Sequence, residues 1–581
     1  MSEEGARPNL DRVIPRTLPL GPPPPRPLDP GRLAIRPAVR RWARSLVRTL
    51  APMVRRAPPR VRRRLLLVFI DGVGGRAMRR AEKAGWLRFL PTLRDGPTHV
   101  ESRAFSGMPS TTTAFQAGLF FGAEHPDVPS FSWFDRRLGR KLQMNRPSDA
   151  LLVEERLRDA LGPGLLAGGT SYVSILAGGS GNALTTAGLG QAFRARRIRR
   201  DRGRGGEGPD PAHEARVEEA IAAAAGTTVP IGRGEPEEPA AAGWRADAVI
   251  QGQILGSLLF RLATESADFL GTMARFRGWF GSGRHELRFL LNHLAVGTLA
   301  TEFGKGGAIL DLMRGVPRTF VCLHEYDEFS HRRGTRDALR VLAQIDRAVE
   351  ALVAIAAEVP DPPDVWILTD HGQIPAVPFE RIFGRTIASW LTEGPAPALP
   401  PAVERLVGAS GARRPHEPPV VVDCGNYAHV YLGGDRAWDA AEISRMRSDV
   451  LSRALDCPGV GLVAMRSLRH GPIAFAGGRQ VDPSRPDTIP KGASREGVAA
   501  LLAELGRSPS AGDLLLCGSW FDDACVAYSW ELSSHGGPSQ EETETFVLHP
   551  AGVDPGRVAH GADLHAILTA LYGAEEPTPF A

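Results

Sequence analysis

Carboxylates and imidazoles recur in this sequence in short groups, three of them placed where an apolar run ends and one in a glycine loop. Asp71 closes LLLVFIDGVGG (65–75). Asp327 and His331 lie in TFVCLHEYDEFSHRRG (319–334), Asp370 and His371 in VWILTDHGQ (365–373), and His535 in the loop SSHGG. Asp327 and His331 are four residues apart, a spacing that puts a carboxylate and an imidazole on one helical face, where they could share a metal ion or form a surface ion pair. Asp370 and His371 are adjacent metal-type donors followed by a glycine that allows a sharp turn. Taken singly, Asp71 reads equally as a metal ligand or a turn aspartate, and His535 as a ligand or a surface residue of a glycine loop.

A different chemistry is offered by Met108 to Gly122, MPSTTTAFQAGLFFG, where Ser110, Thr111, Thr112 and Thr113 precede an apolar helical run. Hydroxyls there are either a plain N-cap or nucleophiles at a helix start, where free N–H groups and the positive end of the helix dipole favour an anion such as phosphate.

These residues need a scaffold that brings strand ends together. Residues 65–70 are six consecutive large apolar residues, the pattern of a strand buried on both faces. Phe320 to Leu323 and VWILTDHGQ (365–373), up to its Asp370, His371 and Gly372 end, read the same way. Between them TRDALRVLAQIDRAVEALVAIAA (335–357) is an amphipathic helix with Leu339, Leu342, Ile345, Val349 and Leu352 inward. Such βαβ spacing predicts an α/β fold: a mostly parallel central sheet flanked by helices, with the strand ends on one edge, where ligands of open sheets bind. A helix is expected over 146–157 and a strand over 170–179, and the aromatics of 124–137 could wall a pocket.

The expected layout is a Pro-rich arm and basic helix (1–60), a first part of the α/β domain (61–195), a low-complexity insertion (196–245), a helical insertion or lid (246–310), a second part of the α/β domain (311–560), and a C-terminal helix and tail (561–581).

Length and composition restrict the alternatives. A chain of 581 residues, 43% apolar, can bury a large core. Five cysteines, widely spaced and without a CxxC pair, argue against a disulfide framework or thiolate zinc site and for a reducing compartment. The N-terminus lacks the basic-then-apolar order of a secretory signal, and no apolar run reaches membrane-spanning length, so a cytoplasmic protein is expected. The net charge of +5 and basic runs at 55–64 and 194–204 would attract polyanions. Only four of the 70 basic residues are lysine, a chain-wide arginine bias, and no aromatics interleave the runs, which argues against nucleic acid as a partner. In 40–56 the apolar Trp42, Leu46, Val47 and Leu50 recur at helical spacing between arginines. Packing on the catalytic domain is the expectation for this helix, and peripheral contact with an anionic bilayer through residues 40–64 is the alternative.

Taken together, FIDGVGG, MPSTTTAFQAGLFFG, YDEFSHRRG, LTDHGQ and SSHGG resemble, in order, the motifs of the alkaline phosphatase superfamily, specifically its nucleotide pyrophosphatase/phosphodiesterase-like branch. The resemblance spans residues 65 to about 550. It implies Thr112 as nucleophile, with Ser110, Thr111 and Thr113 as alternatives. It also implies two divalent cations, zinc by donor type or else manganese or another divalent ion. One would be held by Asp327, His331 and His535, and the other by Asp71, Asp370 and His371 together with Thr112. The implied activity is hydrolysis of anionic phosphate esters, phosphodiesters or nucleotide pyrophosphates, through a phosphothreonine. A phosphotransferase or phosphomutase with the same core, or a non-catalytic scaffold binding anionic membranes or partners, stands as the alternative. The Cys/Ser-x-Pro-x-Arg arrangement of sulfatases is absent from the hydroxyl run.

Overall fold

Both faces of the central strand are buried, and this organises the rest of the chain. The structure, a computed structural model, describes residues 35–54, 63–122, 128–202, 252, 256, 298–408, 417–558 and 560–573. Most of the expected arm (1–38), of the basic run at 55–64, of the low-complexity insertion and of the helical stretch 251–303 lies outside the described residues.

In strand β1 (Leu65–Ile70), Leu66, Val68 and Ile70 enter one apolar core while Leu65, Leu67 and Phe69 enter another on the opposite face. This is the two-sided burial that a continuous apolar run requires. The other strands of the sheet are β2 (His99–Phe105), β3 (Thr170–Tyr172), β4 (Asn182–Leu184), β5 (Arg318–Leu323), β6 (Asp364–Leu368) and β7 (Glu544–Pro550), in the order β2-β7-β6-β1-β5-β3-β4. β1 pairs in parallel with β5 and β6, and β3 with β4 and β5; β7 alone runs against its neighbours β2 and β6. The expected α/β class with a mostly parallel central sheet is therefore observed.

Register decides the site's location. Ile70 lies beside Leu323, and Phe69 beside both Cys322 and Leu368, so the residues that follow β1, β5 and β6 leave the sheet at one edge. Helix α1 (Ile35–Leu50) buries Leu46, Val47 and Leu50 in a core shared with Leu342, Ile345, Val349 and Leu352 of a later helix, Leu342–Glu358. Arg44 pairs with Glu358 at 3.1 Å, and Trp42 is 36% exposed. The expected helix over 335–357 is divided into Thr335–Ala338 and Leu342–Glu358, with Leu339 half-buried.

The expected strand over 170–179 stops at Tyr172. Beyond it the chain satisfies its N–H groups with side chains instead of a ladder: Gln116 accepts from Ile175 and Leu176, and buried Glu154 from Ala177 and Gly179. The helix expected over 146–157 extends from Pro147 to Leu161.

Two further sheets follow β6. An antiparallel sheet of six strands, assembled from residues 420–518 around a core of its own, has no counterpart in the sequence reading above. A small sheet pairs Ile374–Pro378 with Ala524–Ala527 in parallel and with Ser533–Ser534 in antiparallel. All five cysteines are free, and among the described residues no helix is long and apolar enough to cross a membrane.

Phe69 joins this core to the site. Its ring centroid lies 6.0 Å from that of Phe115, on the helix carrying the hydroxyl run, and 5.5 Å from that of Phe320. Phe69→Ala is expected to cost about 3–5 kcal/mol through the cavity it leaves, and Phe69→Leu clearly less. Urea unfolding midpoints of the two variants against wild type check this.

Candidate metal centre

Three short tethers bring the dispersed groups together. Asp71 follows β1 directly and Asp370 follows β6 by two residues, while Asp327 and His331 lie on helix α2 (Glu325–Arg333), which begins two residues after β5. His535 arrives from far along the chain. Ser534 pairs with Ile374 and Ser533 with Pro375, and Leu532 N–H donates to His331 O at 2.8 Å, so the small sheet sets His535 beside His371 and His331. The His371 and His535 rings stack 3.7 Å apart. Gly72 turns the chain after Asp71 at φ +75°, packed against the Asp327 side chain.

The imidazoles are oriented alike. Nδ1 of His331 lies 2.9 Å from Ser533 O, Nδ1 of His535 2.8 Å from Ser110 O, and Nδ1 of His371 3.2 Å from Gly372 O. A carbonyl only accepts, so these bonds place a proton on Nδ1 and, in the neutral ring, leave the Nε2 lone pair free. Every Nε2 faces carboxylate oxygens: His331 to Asp327 Oδ2 at 3.4 Å, His535 to Asp327 Oδ1 at 3.8 Å, and His371 to Asp370 Oδ2 at 3.2 Å and Asp71 Oδ1 at 3.7 Å. Lone pairs aimed at carboxylates repel unless a cation stands between them. Two donors about 2.1 Å from one ion at a tetrahedral angle are about 3.4 Å apart, which matches these separations.

Ligand atoms of Asp327, His331 and His535 lie within 4.8 Å of one another, as do those of Asp71, Asp327 and His371. The donor set and its hydrogen-bonded support thus fit two divalent cations. Asp327 belongs to both groups. Asp370 accepts from Gly72 N–H at 3.1 Å through Oδ1, while its buried Oδ2 has no hydrogen-bond partner among the described residues.

The electrostatics show the same need for positive charge. Burial, then repulsion from Asp370 and Asp327, pushes the Asp71 carboxyl well above the ordinary range. Burial lifts Asp370 to about 6, against the bond from Gly72. For Asp327 burial acts upward, but His331, His535 and His371 outweigh it and hold it low. Burial depresses His371 and His535 to about 4 each, with mutual repulsion adding to the effect on His535.

The four hydroxyls separate cleanly. The helix Thr112–Phe121 starts at Thr112 with no side-chain cap. Thr112 Oγ1 lies 3.2 Å from Asp71 Oδ1 and 3.1 Å from His371 Nε2. Ser110 Oγ donates to Gly537 O and accepts from Gly536 N–H, fastening the His535 loop. The buried hydroxyls of Thr111 and Thr113 have no hydrogen-bond partner among the described residues.

Two contacting residues escaped the sequence reading. Gln373 donates to the Asp327 carboxylate and accepts from Ser330 and Ser533; its place at the end of LTDHGQ was a usable signal. Glu531 lies 3.3 Å from His331 Nδ1, a contact that only tertiary structure creates.

No family model matches the chain, and no curated protein matches it. Among solved structures it is similar to phosphonoacetate hydrolase from Sinorhizobium meliloti 1021, in complexes with phosphonoformate and with phosphonoacetate. Each is 14% identical, with 88% of this chain and 97% of that chain covered and a TM-score of 0.41. At that level the likeness carries nothing about this chain's chemistry.

A Cβ on Gly72 would sit 2.6 Å from Asp327 Oδ1, at a backbone angle that L-residues rarely adopt. Gly72→Ala is therefore expected to lower the divalent metal retained per chain after dialysis, measured by inductively coupled plasma mass spectrometry, with the far-UV circular dichroism of wild type. Undiminished metal would remove Asp327 from the centre.

Proposed function

We propose that this chain hydrolyses phosphate esters with two divalent cations, phosphodiesters or nucleotide pyrophosphates being its substrates and Thr112 its nucleophile, as in the alkaline phosphatase superfamily branch its motifs resemble. The observation that supports this most is the position of Thr112 Oγ1 between Asp71 and His371 at an uncapped helix start, with the neighbouring hydroxyls engaged or enclosed elsewhere.

Asp327, His331 and His535 would hold one cation, and Asp71, Asp370 and His371, with Thr112, the other. Mixed nitrogen and oxygen donors suit zinc, with manganese as the alternative. Bound there, the pair supplies Lewis acidity, easing ionisation of the attacking oxygen and neutralising charge on the leaving one.

The chain's own groups do the rest. The Thr112 hydroxyl donates to Asp71 Oδ1, the acceptor toward which its proton moves as Oγ1 bonds to phosphorus and the ester oxygen leaves from the opposite side. The first N–H groups of the helix have no intrahelical acceptor and are available to non-bridging phosphoryl oxygens. Water then attacks the phosphothreonine and restores the hydroxyl. Asp327, His331 and His535 are 18%, 23% and 13% exposed in their side chains while His371 and Asp370 are fully buried, so substrate enters from the Asp327 side.

Release of nitrophenol from bis- and mono-p-nitrophenyl phosphate, with phosphonoacetate as a further substrate, tests the proposal. Thr112→Ala is expected to lower kcat by about a thousandfold or more, Thr113→Val by less than about threefold because its hydroxyl bonds to nothing, and chelation to abolish activity until zinc or manganese is restored. Activity that survives both Thr112→Ala and complete metal removal would sink the proposal.

A further inference from the structure

Of the three imidazoles, His331 alone has a carboxylate on both sides. Asp327 Oδ2 lies 3.4 Å from its Nε2 and Glu531 Oε2 3.3 Å from its Nδ1, whereas the Nδ1 atoms of His535 and His371 meet backbone carbonyls. Glu531 is itself held in place. Ser534 Oγ donates to its Oε2 at 3.1 Å, and its own N–H donates to Ser529 O at 3.0 Å. Its side chain is only 23% exposed, so solvent screens its charge incompletely.

Ser533 O, at 2.9 Å, already fixes the ring's orientation, so what Glu531 adds is charge. A carboxylate behind a ligating histidine raises the basicity of the nitrogen that faces the metal. It also completes a balance: with the imidazoles neutral, as ligation requires, the four carboxylates Asp71, Asp327, Asp370 and Glu531 would match two divalent cations in charge.

We propose that Glu531 is a positioning residue that acts through His331 to strengthen binding of the cation held by Asp327, His331 and His535. This rests on the two-metal reading above. Glu531 also interacts electrostatically with His535, and among the described residues no contact joins it to Asp71, Asp370 or His371, so its effect falls on the one ion of the two that His331 and His535 hold.

The test is a zinc titration of the chelator-stripped full chain against a chromophoric competitor, giving a Kd for each ion. Glu531→Gln, which keeps the shape and removes the charge, is expected to weaken one of the two ions about tenfold and leave the other within about twofold. Glu531→Ala is expected to reach about 10- to 100-fold. Glu531→Asp, which keeps the charge, should fall between wild type and Glu531→Gln. Trp530→Ala, at the exposed neighbour, should match wild type. If wild type binds two zinc ions and Glu531→Gln binds both with unchanged affinity, or both equally weakened, the role of Glu531 is overturned while the two-metal reading stands. If Glu531→Asp loses as much as Glu531→Gln, the charge-based account fails. If wild type binds no zinc, both readings fall.

Discussion

Repulsion among buried carboxylates is the constraint on which the site depends. Asp71, Asp327 and Asp370 converge where water is largely excluded, and the groups that face them are histidines whose Nδ1 protons are taken by backbone carbonyls. His371 and His535, held neutral by burial, cannot cancel those charges, and His331, which Glu531 and Asp327 raise against burial, offsets only one of them. An ionised carboxylate moved into such surroundings loses several kcal/mol of solvation unless it is paired. Divalent cations would meet this demand with the donor atoms already aimed; without them, burial and like charge push Asp71 far up while the histidines, against burial, hold Asp327 low.

The fold meets the cost of gathering these groups by making their tethers short and their supports rigid. β1, with its alternate residues in two separate cores, cannot shift without disturbing both. Asp71 therefore leaves the sheet at a fixed point. The parallel register places the ends of β5 and β6 on either side of it. The small sheet performs the same service for the distant loop, pairing the residues just before His535 with those just after Gln373. Close approach finishes the arrangement: at Gly372 a Cβ would lie 2.1 Å from Glu541 O, so only glycine lets the chain pass there.

The hydroxyl run shows how packing sorts chemically similar residues. Ser110, Thr111, Thr112 and Thr113 carry the same functional group, and the peptide turns each in a different direction. One hydroxyl fastens the His535 loop, two are enclosed without partners among the described residues, and one meets Asp71 and His371. The helix that follows is buried along its whole length, with Phe115 against Phe69, so Thr112 is fixed from the core side as well as from the metal-centre side.

The sequence by itself determined the strands that end in chemistry. Six apolar residues before Asp71, the amphipathic helix before VWILTDHGQ and the glycines after each group are local patterns, written in residue periodicity, and they were sufficient for a parallel α/β sheet with these carboxylates and histidines at one edge. The ends of other elements were less legible, because Gln116 and Glu154 take the N–H groups that a longer strand at 170–179 would have used. Only the tertiary structure decided that Asp327 stands between both ligand groups, that Thr112 and not its neighbours faces them, and that Glu531 and Gln373 support them. Those facts depend on contacts between residues up to hundreds of positions apart, and such contacts are set by sheet register and core packing, for which a sequence read along its length carries no local signal.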